Sequence, residues 1–390
     1  MRPDASDPSP AVFRIFLSFF RLGLTAFGGP SMIAYIRRMS VEKNHWLDRE
    51  TFQAGVALCQ VIPGATAMQA AAYVGLKARG TLGAAAAFVG FGLPAFLLMM
   101  VLSSLYSRYQ DLPAAISLFV GLQAIIVGIV ANAAVSFGGG TLKGWKDLLI
   151  AGGAALLFAL HMSPILVILL AALTGLLLTD AGSPTPRPAA IPSPVHPGAQ
   201  KQFGLLAAGA AVLFLVLFLV QRSLFDVAIL MAKIDLFAFG GGFGSVPLML
   251  HELVDVRGWV DARTFMNGIV LGQITPGPIV ITATFVGYLL YGIPGGVVAT
   301  IGVFLPSFLM VIGIDPFFER LRSSPWFNRA IHGILCSFVG LLLRVVGHFG
   351  ADVQWSMTHL FLFTATSAAL FFKVDILWVF LAGTVTSLLI

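Results

Sequence analysis

The sequence predicts an all-α polytopic membrane protein in which two inverted-topology repeats bring broken or re-entrant helices together near the bilayer midplane. Of its 390 residues, 58% are apolar and only 10% are charged, too little charge to cover a soluble protein of this size. The mean hydropathy is +0.94. Apolar runs of about 20 residues cross a bilayer as helices, and no run alternates as barrel strands do. A duplicated motif predicts the repeats, and unequal loop charge predicts their inversion.

One motif occurs twice along the chain. A cation six residues before Phe-Gly-Gly recurs at an offset of 212, as Arg21 with Phe27-Gly28-Gly29 and Lys233 with Phe239-Gly240-Gly241. A glutamine three residues before Pro-Gly recurs at an offset of 213, as Gln60 with Pro63-Gly64 and Gln273 with Pro276-Gly277. We interpret this as a duplication, with a first membrane repeat at 11–180, a Pro-rich linker at 181–201 and a second membrane repeat at 202–390.

The first repeat begins with two interrupted segments. Residues 11–36 are broken at Gly28-Gly29-Pro30, because proline and paired glycines do not continue a helix without cost. Residues 51–76 are broken at Pro63-Gly64 into halves of about 13 residues, or roughly 20 Å, too short to span alone. Lysine and arginine flank both ends of this segment, which favours a re-entrant hairpin with the Pro-Gly at its tip. Further spans follow at 81–106, 114–137 and 147–179, the last being one tilted helix or two short ones around Pro164.

The second repeat follows the linker and shows the same order. It begins with a span at 203–221 and continues with a segment at 224–249 that is broken at Gly240-Gly241-Gly242. The segment matching 51–76 is 264–290. Further spans are predicted at 293–314, 327–348, 354–372 and 374–390.

Loop charge distinguishes the two copies. The loop at 37–50 holds four cations and three acids, whereas the matching loop at 251–263 holds two cations and three acids. Because positive charge marks cytoplasmic loops, we expect 37–49 to be cytoplasmic and 251–263 to lie outside, in a multi-pass protein of the inner or plasma membrane. In each loop, Trp46-Leu-Asp48 or Trp259-Val-Asp261 has the pattern of an interfacial tryptophan followed by a helix N-cap.

The duplicated cations indicate the chemistry of the site. Arg21 and Lys233 lie inside apolar runs, where an unpaired charge is costly and usually faces a polar cavity or a partner. Under pseudo-twofold symmetry two such cations can converge on one anion. Two structural alternatives stay open, since Arg21 can reach the interface along its aliphatic stem and Lys233 can pair with Asp235.

The breaks add backbone donors to this charge. A helix that restarts within the membrane has free N–H groups and the positive end of its dipole, and secondary transporters build sites from such ends. The candidate substrate-binding residues are therefore Arg21, Lys233, Gly28, Gly29, Gly240, Gly241, Gln60, Pro63, Gly64, Gln273, Pro276 and Gly277. The glutamines would donate side-chain hydrogen bonds, as would Thr25, Thr66, Gln69, Thr275 and Thr282. The alternative is that the glycines serve close helix packing and the glutamines join helices.

Several function classes lack their signatures. No nucleotide-binding Gly-x-x-x-x-Gly-Lys-Ser/Thr, His-Glu-x-x-His or Gly-x-Ser-x-Gly occurs, so we expect neither an ATP-driven pump nor an enzyme, and no cofactor. The two cysteines, Cys59 and Cys336, allow no disulfide framework, and we expect no metal cluster from them. Nothing indicates a nucleic-acid partner. The expected partners are an oxyanion and the lipid bilayer, and a homodimer is left open.

At these residues the sequence resembles the chromate ion transporter family. The matching segments are Phe20–Pro30, Ala57–Gly64, Leu93–Phe96, Phe237–Gly242, Gln273–Pro278 and Phe304–Phe308. The resemblance implies a long, two-repeat member that exports chromate from the cytoplasm and confers chromate resistance, with sulfate as a look-alike ligand. The first copy departs from the family's usual Pro-Gly-Pro, since it reads Pro63-Gly64-Ala65.

The direction of transport agrees with electrostatics. An inside-negative potential drives an anion outward by about 2.3 kcal/mol per charge per 100 mV, so a dianion gains roughly 4.6 kcal/mol without ATP. The alternatives are a carrier of sulfate or another oxyanion and a gated anion channel, because both would use the same helix ends. If protons take part, Asp235 and His348 are the candidates.

Overall fold

In the computed structural model, the described residues are 10–27, 31–178 and 199–389, and they are helical apart from turns and short connections. Five described helices or helix pairs are long and apolar enough to cross a membrane, and three shorter apolar helices accompany them. The long ones are Thr66–Tyr109, Pro113–Thr141, Lys201–Val220, Ile279–Arg322 and Pro325–Asp352. The prediction of an all-α polytopic membrane protein is therefore confirmed.

The helices follow one another in the order that the sequence predicts. In the first repeat they are α1 (Val12–Gly23), α2 (Ser31–Arg37), α3 (Arg49–Val61), α4 (Thr66–Tyr109), α5 (Pro113–Thr141), α6 (Trp145–Ala159) and α7 (Pro164–Leu178). Then come α8 (Ala199–Val220), α9 (Arg222–Phe237), α10 (Ser245–Met249), α11 (Ala262–Ile274), α12 (Thr282–Ile314), α13 (Phe318–Arg322), α14 (Pro325–Asp352), α15 (Met357–Phe371) and α16 (Ile376–Leu389). Short π turns at Arg38–Lys43 and Leu250–Val256 and 3₁₀ turns at Gly242–Gly244, Ile279–Ile281 and Asp315–Phe317 complete the chain.

The run at 147–179 is two short helices. Helix α6 ends at Ala159, His161 takes a left-handed backbone conformation with φ of 61°, and α7 begins at Pro164. Proline fits the first turn of a helix, where its missing N–H is not needed. Of the two alternatives for this run, the structure shows the pair around Pro164.

Both predicted N-caps are confirmed. The Asp48 carboxylate accepts a hydrogen bond of 2.7 Å from the Thr51 N–H at the start of α3, and Asp261 accepts one of 2.9 Å from the Thr264 N–H at the start of α11. Partial burial raises the pKa of both loop carboxyls, but their hydrogen bonds outweigh it and hold each pKa below its ordinary value. These caps place the two short helices at equivalent positions in the two repeats.

Each short helix forms a hairpin with the helix that follows it. Gly55 of α3 lies against the Tyr73 ring of α4, and Gly268 of α11 lies against the Phe285 ring of α12. In both pairs the two residues are nearly equidistant along the chain from the Pro-Gly between the helices, so the chain enters and returns around that turn. The re-entrant hairpins predicted for 51–76 and 264–290 have this geometry.

A sharp turn then ends each hairpin. The backbone leaves the helical conformation at Arg79–Gly80 in α4 and at Tyr291–Gly292 in α12. The two arms of each turn touch through glycines, since a Cβ on Gly75 would lie 2.1 Å from the Gly83 carbonyl oxygen. Beyond the turn, the rest of α4 and α12 is long enough to cross the membrane.

The crossing parts of α4 and α12 run antiparallel. Lys77 pairs with Asp315 at 2.8 Å, the Phe88 ring lies 5.1 Å from the Phe308 ring, and Met100 lies against Gly296. As residue numbers rise along α4, the residue numbers of their contact partners in the second repeat therefore fall. Because the two helices are copies of each other, the pseudo-twofold axis that relates them is perpendicular to both and lies in the plane of the membrane. This is the inverted arrangement that the loop charges predict.

The last three helices of each repeat pack across the pseudo-twofold axis. Helices α6 and α7 pack on α14, and α15 and α16 pack on α5. The crossings rely on small residues at equivalent positions, with Gly175 against Gly333 and Ser387 against Gly121. Helix α8 has no counterpart among the described residues that precede α1, and it packs on α9 and α12. Most of the 181–201 linker lies outside the described residues.

We predict that the loops at 37–49 and 251–263 are accessible from opposite faces of the membrane. Single cysteines placed at Asn44 and at Val256, in a background with Ser at positions 59 and 336, should react with an impermeant maleimide in inverted and right-side-out vesicles respectively. The measurement is labelling in vesicles of each orientation. Labelling of both loops from one face would contradict the inverted topology.

Candidate functional site

Three of the four predicted breaks lie wholly within described residues, and each of these coincides with helix ends. Helix α3 ends at Val61 and α4 begins at Thr66, and α9 ends at Phe237 before the turn at Gly242. Helix α11 ends at Ile274, and helical structure resumes with the 3₁₀ turn that begins at Ile279. The fourth break follows α1, which ends at Gly23, and its Gly28 and Gly29 lie outside the described residues.

Two backbone hydrogen bonds join the breaks of one repeat to those of the other. The Gly64 N–H donates to the Ala238 carbonyl oxygen at 2.8 Å, and the Gly277 N–H donates to the Ala26 carbonyl oxygen at 3.0 Å. Gly277 is the copy of Gly64 and Ala238 is the copy of Ala26, so the two bonds are related by the pseudo-twofold axis. The two hairpin tips are therefore each joined to the chain that follows α1 or α9 in the opposite repeat.

Only glycine fits the turn at each Pro-Gly. Gly64 has a φ of 113° and Gly277 a φ of 129°, in the region that side chains disfavour. A Cβ on Gly64 would also lie 1.9 Å from the Ser307 Oγ, and one on Gly277 would lie 2.9 Å from the Ala95 Cβ. These contacts hold each hairpin tip against the opposite repeat.

Two helix beginnings face the glycine turn of the second repeat. Helix α4 starts at Thr66, and the Thr66 Oγ1 lies 3.1 Å from the position that a Cβ on Gly241 would take. The Ile279 main-chain nitrogen lies 3.9 Å from the equivalent position on Gly242. The first N–H groups of a helix have no partner within it and carry the positive end of the dipole. Gly241 and Gly242 thus lie where an anion can meet donors from both repeats.

The two motif cations differ in their surroundings. Arg21 is exposed in the last turn of α1, where a cation is also favoured by the helix dipole. Lys233 is exposed on α9, and its Nζ lies 2.7 Å from the Glu252 Oε1. Asp235 is not its partner, because residues two apart on a helix do not face each other. The alternative that Lys233 forms an ion pair is therefore correct, but its partner is Glu252 and not Asp235.

Glu252 is shared by two cations. Its other oxygen lies 2.6 Å from the Arg257 guanidinium, and its side chain is 8% exposed. Lys233, Arg257 and Glu252 together carry one net positive charge. Along the chain Lys233 precedes the glycine turn and Glu252 and Arg257 follow it. The positive charge of the second motif is therefore reduced by the pair but not cancelled.

The amide and hydroxyl candidates fall into two groups. Gln60 is exposed, whereas the Gln273 Nε2 is buried and has no hydrogen-bond partner within the described structure. The hydroxyls of Thr25, Thr275 and Thr282 donate to carbonyl groups of their own segments. Among the predicted substrate-binding residues, Gln273 therefore has a buried side-chain amide whose N–H groups can donate to a ligand.

A buried polar cluster beside Gly64 involves Ser307, whose role the motifs do not predict. The Asp235 carboxylate is fully buried and accepts hydrogen bonds from the Ser307 N–H at 2.7 Å and its hydroxyl at 3.0 Å. The Gln69 Nε2 donates to the Pro63 carbonyl oxygen at 2.5 Å and contacts the Ser307 Oγ at 3.3 Å. One difference between the repeats could have identified this cluster from the sequence. The first repeat has Gly23 and Ala95 at the positions equivalent to Asp235 and Ser307, so both polar residues occur in the second repeat only.

Comparisons with known proteins agree with this arrangement. A family model described as chromate transporter matches residues 13–176 and again 225–388. An uncharacterized transporter from Methanocaldococcus jannaschii is 43% identical over 383 residues, which is 98% of this chain and 95% of the relative. A chromate transport protein from Pseudomonas aeruginosa is 31% identical over 372 residues (89% and 82%), and one from Cupriavidus metallidurans is 30% identical over 341 residues (87% and 82%). No solved structure matches the chain.

We predict that Gly64→Ala destabilises the protein and abolishes its transport. The positive φ alone costs about 1–3 kcal/mol, and the clash with Ser307 forces the hairpin tip away from Ala238. Gly152→Ala is the matched control, because a Cβ there meets open space within α6. Thermal unfolding in detergent should show a lower Tm for Gly64→Ala only. Equal Tm values for both variants would argue against the tight contact at Gly64.

Proposed function

We propose, since the chain belongs to the chromate transporter family, that it exports chromate across the cytoplasmic membrane as a secondary transporter driven by the membrane potential and thereby confers chromate resistance. The family match covers both repeats and most of the chain. Two relatives of 30% and 31% identity are named chromate transport proteins. The substrate class comes from the family, and its place in the molecule comes from the geometry of the breaks.

The observation that carries the proposal is the pair of hydrogen bonds between the breaks. Gly64 to Ala238 and Gly277 to Ala26 bring four helix ends together between inverted repeats. A tetrahedral oxyanion offers acceptors in several directions, and backbone N–H groups that converge from two helix beginnings can satisfy more than one of them. We therefore place chromate at Gly241 and Gly242, between Thr66 and Ile279, with Gln273 as a further donor.

The formal charges of the candidate residues favour an anion only moderately. The Lys233–Arg257–Glu252 cluster carries positive charge in the second repeat, Arg21 is an exposed cation in the last turn of α1, and Asp235 lies beside Gly64. A site that binds a dianion too tightly would not release it, so moderate attraction suits a transporter better than a fully cationic pocket. Of the two proton candidates, Asp235 lies at the repeat interface, while His348 lies near the end of α14, 3.5 Å from Asp352.

The potential supplies enough energy for export. A dianion that moves outward through an inside-negative potential gains roughly 4.6 kcal/mol per 100 mV. That corresponds to a concentration ratio of about 2,000 at equilibrium, since each 1.4 kcal/mol is a factor of ten. No nucleotide hydrolysis is needed for this direction.

The test is chromate uptake into inverted membrane vesicles that contain the protein. A lumen-positive potential imposed by valinomycin and potassium should accelerate uptake, because the vesicle lumen corresponds to the outside of the cell. Sulfate in excess should compete, and saturation with counterflow should distinguish a carrier from a channel. Uptake that does not respond to the potential would contradict the proposed mechanism.

Loss of either motif cation should reduce transport. We expect Arg21→Ala and Lys233→Ala to lower chromate flux by about tenfold or more, equivalent to 1.4 kcal/mol of lost attraction, and to abolish resistance without affecting membrane expression. Arg222→Ala is the matched control, since Arg222 is an exposed cation on the same helix as Lys233, forms an ion pair with Asp226 one turn away and lies over the Phe218 ring. Wild-type flux in both motif variants would remove these cations from the transport path.

A further inference from the structure

A second group of chemically active side chains lies at the contact between α6 and α14. Asp147 is on α6, and His332 and Cys336 are one turn apart on α14. The His332 Nε2 lies 2.8 Å from the Asp147 Oδ1 and 3.7 Å from the Cys336 Sγ. The three ligand atoms lie within 4.8 Å of one another, and no second group of this kind occurs among the described residues.

The spacing of these atoms matches a tetrahedral metal centre. Zinc binds sulfur at about 2.3 Å and imidazole nitrogen at about 2.0–2.1 Å, so the sulfur and nitrogen of one centre are about 3.6 Å apart. The observed separation between the Cys336 Sγ and the His332 Nε2 is 3.7 Å. The oxygen and nitrogen of one such centre are about 3.3 Å apart, so the Asp147 Oδ1 would lie about 0.5 Å farther from the His332 Nε2 than the 2.8 Å observed.

The surroundings orient the carboxylate and give access to the group. The Asp147 Oδ2 accepts hydrogen bonds from the Lys143 N–H at 2.9 Å and the Gly144 N–H at 3.1 Å, which leaves Oδ1 directed at His332. Such outer hydrogen bonds orient metal ligands in proteins. Asp147 and Cys336 are buried, whereas the His332 side chain is 35% exposed and provides a path for an ion.

We propose that Asp147, His332 and Cys336 bind a divalent transition-metal ion of the zinc class, with water as the fourth ligand. The ion replaces the thiol proton of Cys336, which leaves to solvent. It also replaces the His332 Nε2 proton that is donated to Asp147, and because Nδ1 takes up a proton from solvent in exchange, the imidazole is neutral when bound and Asp147 stays ionised. A dication with one thiolate and one carboxylate has no net charge, the condition that favours a centre in a largely buried place. Because α6 belongs to the first repeat and α14 to the second, the bound ion joins the repeats at a place separate from the oxyanion site.

The experiment uses the purified full-length protein in detergent, with Co²⁺ as an optical probe and Zn²⁺ as its competitor. One equivalent of Co²⁺ should produce a thiolate-to-cobalt charge-transfer band and the visible bands of a tetrahedral centre, and Zn²⁺ should abolish both. Cys336→Ser should remove the charge-transfer band. His332→Gln should weaken Zn²⁺ binding by at least about tenfold, since even outer-shell changes cost that much.

Cys59→Ser is the matched control, because Cys59 is the other buried free cysteine and belongs to no such group of ligands. Its Co²⁺ spectrum should equal that of the wild type. Zn²⁺ should also raise the Tm of the wild type and of Cys59→Ser, but not that of Cys336→Ser. Absence of the charge-transfer band in the wild type, or its persistence in Cys336→Ser, would show that the three side chains form only a hydrogen-bonded structural contact. Neither outcome bears on chromate transport.

Discussion

A broken helix inside a membrane protein leaves backbone groups that must find partners, and this constraint organises the whole molecule. Water is not available in the bilayer core, and each unsatisfied group costs several kcal/mol. Here the hairpin tip of each repeat donates to the chain that follows α9 or α1 in the other repeat, from Gly64 to Ala238 and from Gly277 to Ala26. Neither repeat can satisfy its breaks alone, so the two copies depend on each other for their fold.

Several features of the structure follow from that exchange. The donors must approach a foreign backbone closely, which requires glycine at the tips and antiparallel placement of the equivalent helices α4 and α12. The same exchange brings helix beginnings to the Gly241–Gly242 turn, where their free N–H groups can meet an oxyanion. The feature that stabilises the interface is thus the feature that creates a site within it.

The two repeats have similar backbones but differ in their polar side chains. Asp235 and Ser307 bond to each other beside Gly64, whereas the apolar Ala95 takes the place of Ser307 beside Gly277. The pair of Lys77 and Asp315 likewise has no charged counterpart in the other copy. The group of Asp147, His332 and Cys336 is a further one-sided contact, and it ties α6 to the opposite repeat.

The sequence alone determined the helical membrane class, the duplication, the inversion, the positions of the breaks and the caps at Asp48 and Asp261, because these depend on local composition, chain geometry and loop charge. The tertiary structure decided which side chains meet, both within the second repeat and between the repeats. Within the second repeat it paired Lys233 with Glu252 and buried Asp235 against Ser307, and between the repeats it placed Thr66 beside Gly241. Those contacts join residues on different helical segments, so their partners depend on how the segments and the inverted copies pack, and no local pattern encodes that. Within one sequence, periodicity shows which helix a residue is on, but only packing shows which residue of the other copy it contacts.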